Sequence, residues 1–171
     1  MKFKPIGSPM TIIEVSADNH IDIIESLARE IWSEHYDPII SKQQVDYMLA
    51  RFQSKQAINE QIASGALYFL IEEGLAFIGY FAVQPRVDEL FLSKIYLRSN
   101  HRASGYGKKA VQFVEKLARE QGLRKVALTV NKSNTGAIRA YEKIGFRNVG
   151  SLVQDIGGGF VMDDYAMEKN V

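Results

Sequence analysis

The sequence predicts a mixed α/β fold, a central mixed sheet with helices on both faces, and three observations carry that prediction. Short β-branched and aromatic runs alternate with stretches whose apolar residues recur every three or four positions. Their order is one strand, several helices, three strands, a helix, a strand, a helix and two strands, which counts about seven strands and leaves helices to cover two sheet faces. A length of 171 residues with 46% hydrophobic content suits one domain, residues 1–171, with a substantial core.

Each element has its own signal. Thr11, Ile12, Ile13 and Val15 form a β-branched run, read as a first strand over 11–15. Ile24, Leu27, Ala28, Ile31 and Trp32 then share one helical face, predicting a helix over 21–34 that Asp37 and Pro38 break. Ser41 with Gln44 matches a capping box for a second helix carrying Val45, Met48, Leu49 and Phe52. A third helical piece covers 56–63 and stops at Gly65. Residues 67–72 and 76–83 are apolar and aromatic-rich and are joined by Glu73 and Gly74, the signature of a hairpin. Pro85 and Asp88 separate this pair from a strand over 90–97.

After that strand, Ala110, Val111, Val114, Leu117 and Ala118 mark the packed face of a long amphipathic helix. Its wet face carries Lys108, Lys109, Glu115, Lys116 and Arg119. Gly122 ends it, residues 125–130 supply a strand, and 137–144 form a short helix closed by Gly145. Residues 146–155 and 160–167 are the last two strands, around Ile156-Gly157-Gly158-Gly159.

Composition narrows the function classes. A formal charge of +1, with both signs spread along the chain, argues against a dedicated nucleic-acid surface. The chain has no cysteine, so disulfides, thiolate nucleophiles and cysteine-based metal sites are excluded, and a reducing compartment is compatible. Histidines at 20, 35 and 101 lack metal-ligand spacing and no serine sits in a G-x-S-x-G elbow, so no metal is expected and hydrolase readings have no support. Met1-Lys2-Phe3-Lys4-Pro5 is followed by Gly7, Ser8 and Pro9, and no window approaches the roughly 18 apolar residues of a membrane helix. The expectation is a cytoplasmic protein with neither nucleic acid nor membrane as partner.

The most informative stretch is Arg102-Ala103-Ser104-Gly105-Tyr106-Gly107, where the 90–97 strand hands over to the long helix. Two glycines let the backbone turn tightly and approach a ligand, and the first free amides of the helix point at an anion. The helix dipole adds roughly 0.3–1 kcal/mol for a negative charge held there. The same glycines also suit an ordinary strand-to-helix turn, and neither P-loop nor G-x-G-x-x-G spacing is present. One helix later follows the run over 130–146, Val-Asn-Lys-Ser-Asn-Thr-Gly-Ala-Ile-Arg-Ala-Tyr-Glu-Lys-Ile-Gly-Phe.

Together these stretches resemble the GCN5-related N-acetyltransferase (GNAT) family. Its pattern is a strand, R/Q-x-x-G-x-G/A, a helix, a strand, an Asn, and a short helix ending in Y-E-K-x-G-F. The resemblance is specific over 89–146 and follows element order over nearly the whole chain. It implies the GNAT fold, with a mostly antiparallel twisted sheet, and transfer of acetyl from acetyl-CoA to a primary amine by direct attack in a ternary complex.

The resemblance also implies roles residue by residue. Arg102, Ala103, Ser104, Gly105, Tyr106, Gly107 and Lys108 form the pyrophosphate loop, chiefly through backbone amides. The pantetheine arm lies along Ile95, Tyr96 and Leu97, and a backbone N–H at Ile95 serves the oxyanion beside a strand bulge. Asn134 contacts the arm and also stands where it would cap the following helix, while Lys143 and Arg139 are candidates for phosphate contacts. Tyr141, seven residues after Asn134, is the acid for the departing thiolate, since a phenol with pKa near ~10 stays protonated at neutral pH. It reads equally as a core aromatic on a helix face.

The acceptor amine raises a further demand, because an alkylammonium is neutral in roughly one molecule per thousand at pH 7. Where members of the family carry a carboxylate, this chain has Thr129 and Ser93. Glu89 shares a face with Ser93 in a regular strand and is the base expected to act through water, with Glu34 or His35 as alternatives. The implied acceptor pocket draws on Glu34, His35, Tyr36 and Asp37, and on Asp155, Asp163, Asp164 and Tyr165. Its carboxylates suit a cationic, polyamine-like small molecule, and equally suit solvation of a strand edge. Peptide or protein acetylation and a non-catalytic acyl-CoA sensor stand as alternatives, and residues 146–167 are the expected interface of a homodimer.

Overall fold

The computed structural model describes residues 10–36 and 40–171. The helix break and pocket position expected at Asp37, with Pro38, lie outside the described residues, as do residues 1–9. Strand β1 (Met10–Glu14) precedes three helices, α1 (Asp18–Tyr36), α2 (Lys42–Phe52) and α3 (Lys55–Ala63). Next come β2 (Leu67–Glu73), β3 (Ala76–Pro85) and β4 (Glu89–Leu97), then a 3₁₀ turn at Ser99–His101 that no sequence signal announced. The chain continues through α4 (Tyr106–Glu120), β5 (Lys125–Asn131), α5 (Thr135–Lys143), β6 (Arg147–Gly157) and β7 (Phe160–Asn170). Order and type are those read from the sequence.

The seven strands form one sheet in the order β1-β2-β3-β4-β5-β7-β6, antiparallel throughout except between β4 and β5. Strand alternation sends apolar side chains to two cores, one per face. Tyr68, Leu70, Tyr80 and Ala82 pack beneath Ile24, Ile31 and Trp32 of α1 and Val45 of α2. Phe69, Phe81 and Val83 pack on the opposite face beneath Val111 and Val114 of α4. Glu115, expected on the wet face of α4, is instead buried, because the end of β7 brings the Lys169 ammonium to its carboxylate.

Caps fix where the helices start. The Oγ of Ser41 accepts from the Gln44 amide at 3.1 Å and that of Ser54 from the Ala57 amide at 3.2 Å. The Gln44 side chain does not complete a capping box. Its Nε2 donates to the Val161 carbonyl at 3.0 Å and ties α2 to β7.

Two irregularities position the site. β4 and β5 pair only from Glu89↔Lys125 to Phe91↔Ala127 and then part. In β4, Lys94 opposes Ala82 and Leu92 opposes Val83, which leaves Ser93 as the extra residue of a β-bulge. The bulge shifts the alternation. Leu90 and Leu92 face the α4 core before it, and Ile95 and Leu97 face the same core after it.

Candidate active site

Where β4 and β5 part, a cleft of about 600 Å³ opens. Residues 94–97 form one wall and Leu128 and Thr129 the other, and the glycine loop, His35, Tyr36, Asn134 and Tyr141 line it as well. The glycine loop is shaped by unusual backbone. Gly105 caps α4 at φ 84°, and Ala103 holds φ 59°, the one positive value on a non-glycine among the described residues. An alanine in that region costs about 1–2 kcal/mol, a local strain placed where a ligand would meet backbone. Whereas α2, α3 and α5 each have a capping side chain, α4 has none, so its first amides remain open donors. Arg102 and Lys108 flank them, so this end fits a diphosphate. Ser104 and Tyr106 do not line the cleft: the Ser104 hydroxyl donates to the Arg102 carbonyl at 3.3 Å, and the Tyr106 ring lies 6.0 Å from that of His101.

Asn134 uses both ends of its amide. Oδ1 accepts from the Ala137 N–H at 3.3 Å, capping α5, and this orients Nδ2 toward His35 Nε2 at 3.0 Å. The imidazole therefore accepts at Nε2 and carries its proton at Nδ1. Burial, and then the Arg102 charge, lower the His35 pKa, so the ring is neutral near pH 7. Tyr36 and Tyr96 share a hydroxyl hydrogen bond of 2.7 Å that pins the end of α1 to β4. Burial pushes the Tyr36 phenol up to about 12 and raises Tyr141 further, with Tyr36 as the second cause at Tyr141. Both O–H groups thus stay protonated as donors. Tyr141 also packs its ring 5.6 Å from Phe146, so it serves the core as well as the cleft.

Ile95, Tyr96, Leu97, Arg102, Ala103, Gly105, Gly107, Lys108 and Lys143 come together with these residues around one cleft. Glu89 does not. It sits in the paired half of β4, beside Lys125, with its carboxylate 3.7 Å from Arg86, and does not line the cleft. Glu34 is exposed and does not line the cleft either. Of the other carboxylates, Asp163 pairs with Lys132 at 2.8 Å and Asp155 accepts from its own turn at Gly157, 2.8 Å. Tyr165 packs into the α4 core, on the sheet face opposite Asp164. Asp164 alone of that group is buried.

A model of the acetyltransferase (GNAT) family matches residues 24–146. The chain belongs to the GNAT family. It is similar to N-acetyltransferase 8F1 of Mus musculus, 26% identical over 166 residues, covering 88% of this chain and 71% of that protein. It is also similar to spermidine N(1)-acetyltransferase of Thermoplasma acidophilum, 23% identical over 154 residues, covering 87% of this chain and 90% of that one. Among solved structures, the PaiA N-acetyltransferase of Thermoplasma acidophilum in complex with coenzyme A aligns with a TM-score of 0.80 at 23% identity, over 95% of this chain and 99% of that chain. That structural likeness speaks for the fold.

As a GNAT member the protein is an acetyl-CoA-dependent N-acetyltransferase, and the cleft contains features that sequence reasoning missed. Lys94 lines it, held by Gln61 Oε1 at 3.3 Å and the Tyr68 ring rather than by a carboxylate, and burial pulls its ammonium down to about 8. Its signal was present as the one charge inside the apolar run over 90–97. The His35–Asn134 and Tyr36–Tyr96 contacts left no signal, since they join residues 99 and 60 positions apart.

Proposed function

We propose that residues 1–171 act as one N-acetyltransferase domain that transfers acetyl from acetyl-CoA to the primary amine of a small, cationic, polyamine-like molecule, by direct attack with both substrates held at once. The observation that carries the reading is the parting of β4 and β5, which brings an open amide cradle and a cluster of protonated phenols to the lining of one cleft. Bound there, acetyl-CoA would supply an activated acetyl thioester and a thiolate leaving group. Residues 102–108 hold its diphosphate, with Lys143 beside them, and backbone groups along 95–97, unpaired toward β5, hold its arm together with Asn134. The Ile95 N–H stabilises the developing oxyanion, and the Tyr141 O–H gives its proton to the departing sulfur. Tyr36 and His35 shape the acceptor end. The setting is proposed to be cytoplasmic.

One observation favours a second reading. Among the described residues no Asp or Glu lines the cleft, whereas Lys94, Arg102, Lys108 and Lys143 do, which would suit a module that binds acyl-CoA without turnover. Peptide or protein acetylation is the other alternative. Mass-spectrometric detection of acetyl transfer across polyamines, amino acids, amino sugars and short peptides separates the three. Transfer to small amines supports the proposal, transfer confined to peptides supports the protein reading, and binding of acetyl-CoA without transfer supports the sensor.

We also propose a homodimer through β6. Among the described residues this strand ends the sheet with no partner on its outer edge, and Val149, Leu152 and Val153, with Val161 of β7, leave their apolar side chains exposed. An unprotected edge of this length is a template for pairing with a second copy.

A further inference from the structure

An acceptor that arrives as an ammonium must lose a proton before it can attack, and among the described residues no carboxylate lines the cleft to take it. His35 is already engaged at Nε2 by Asn134, and Lys94, with its ammonium at about 8, is mostly protonated already at pH 7. One strand behind the cleft wall the situation differs. Thr129 lines the cleft from β5, and the register Thr129↔Ala166 and Asn131↔Asp164 places Asp164 diagonally across from it on the same sheet face. The Thr129 side chain lies close enough to the Asp164 carboxylate to oppose the rise of its pKa. Asp164 is 5% exposed and its Oδ1 has no hydrogen-bond partner. A buried carboxylate oxygen without a donor is costly, and Lys132, the cation that acts on it, is already paired with Asp163.

We propose that Asp164 is the proton acceptor for the incoming ammonium, reached through the Thr129 hydroxyl, which itself contacts the amine. This rests on the acetyl-transfer reading above. The ammonium N–H bond breaks with its electron pair left on nitrogen, the Thr129 oxygen takes that proton, and the Thr129 O–H proton passes to the Asp164 carboxylate. Asp164 then releases it to water, so Thr129 is restored and no co-reactant is needed. The groups facing Asp164 are Asp163 on its own strand, Lys132 after β5, Thr129 on β5 and Tyr36 on α1. Burial first, and Asp163 second, raise its carboxyl to about 6 against the opposing effects of Lys132 and Thr129. That keeps it ionised at neutral pH yet far more basic than a surface aspartate.

The test is the pH dependence of kcat/KM in the full chain for the wild type, Asp164→Asn, Thr129→Val and Thr129→Ser, with an alkylamine and with a weakly basic amine that is neutral at pH 7. A carbon-13 NMR titration of the Asp164 carboxyl, without substrates, accompanies it. The expected results are an acid limb with a midpoint near 6 in the wild type and a carboxyl titrating at the same pH. Asp164→Asn and Thr129→Val should each lose roughly 10²-fold at pH 7 together with that limb. Thr129→Ser should restore both, and the weakly basic amine should suffer little from either loss. An unchanged pH profile in Asp164→Asn, or equal losses for both amines, would overturn the assignment while leaving acetyl transfer intact. Should Asp164→Asn fail to fold, the Thr129→Val and Thr129→Ser pair decides the question. A wild type that acetylates no amine would overturn the functional reading itself.

Discussion

At Tyr141 the removal of one oxygen separates chemistry from packing. The ring contact with Phe146 survives in Tyr141→Phe, whereas the proton donor is lost. Steady-state kinetics should therefore show kcat reduced by roughly 10²-fold or more, with the KM for acetyl-CoA and the melting temperature nearly unchanged. Asp164 makes the opposite trade. Its carboxyl is raised from 3.8 to about 6 in the folded protein, so the native state holds this proton more tightly than the unfolded chain. The group contributes stability below about pH 4 and loses it as pH rises through 6. Asp164→Asn should accordingly raise stability by about 1–3 kcal/mol at pH 8, or several degrees in thermal melts, and leave it unchanged at pH 3.5. Tyr141, Asn134 and the glycine loop were legible because their spacing lies within one local motif. Lys94 was not, and Asp164 was read only as one of several acceptor-pocket carboxylates, because what surrounds them is decided by strand register and by helices far away in sequence.

Among the elements, the β3–β4 pair carries the tightest constraint on the cleft. Gly79 stands opposite Leu97, and a methyl group there would run into the Tyr96 carbonyl oxygen and approach Leu97 Cδ2 to 2.9 Å. Gly79→Ala must push β4 aside, so denaturant titration should show a loss of about 1–3 kcal/mol, and calorimetry weaker binding of coenzyme A. The element types were legible from periodicity, and most boundaries lay within a few residues of the observed ones. The bulge at Ser93 was not, because a serine in an apolar strand reads as an ordinary member of the alternation until the partner strand fixes the register. Glu89 lies before the bulge, in the half of β4 that stays paired with β5, and so falls outside the cleft.

For the whole molecule, periodicity revealed how many strands there are, but only pairing revealed that β4 and β5 are the parallel neighbours whose separation makes the site. The exposed end of the same sheet predicts self-association. Sedimentation velocity should report a dimer that Val153→Lys, at a residue 64% exposed, converts to monomer, and a concentration-independent wild-type monomer would remove the proposed interface. The central claim is that one cleft holds acetyl-CoA and the amine together, with no acetyl-enzyme, in a chain that has no cysteine. Initial velocities measured while both substrates are varied test it most directly. Intersecting double-reciprocal lines are predicted. Parallel lines, the pattern of an acetylated enzyme formed before the amine binds, would contradict it.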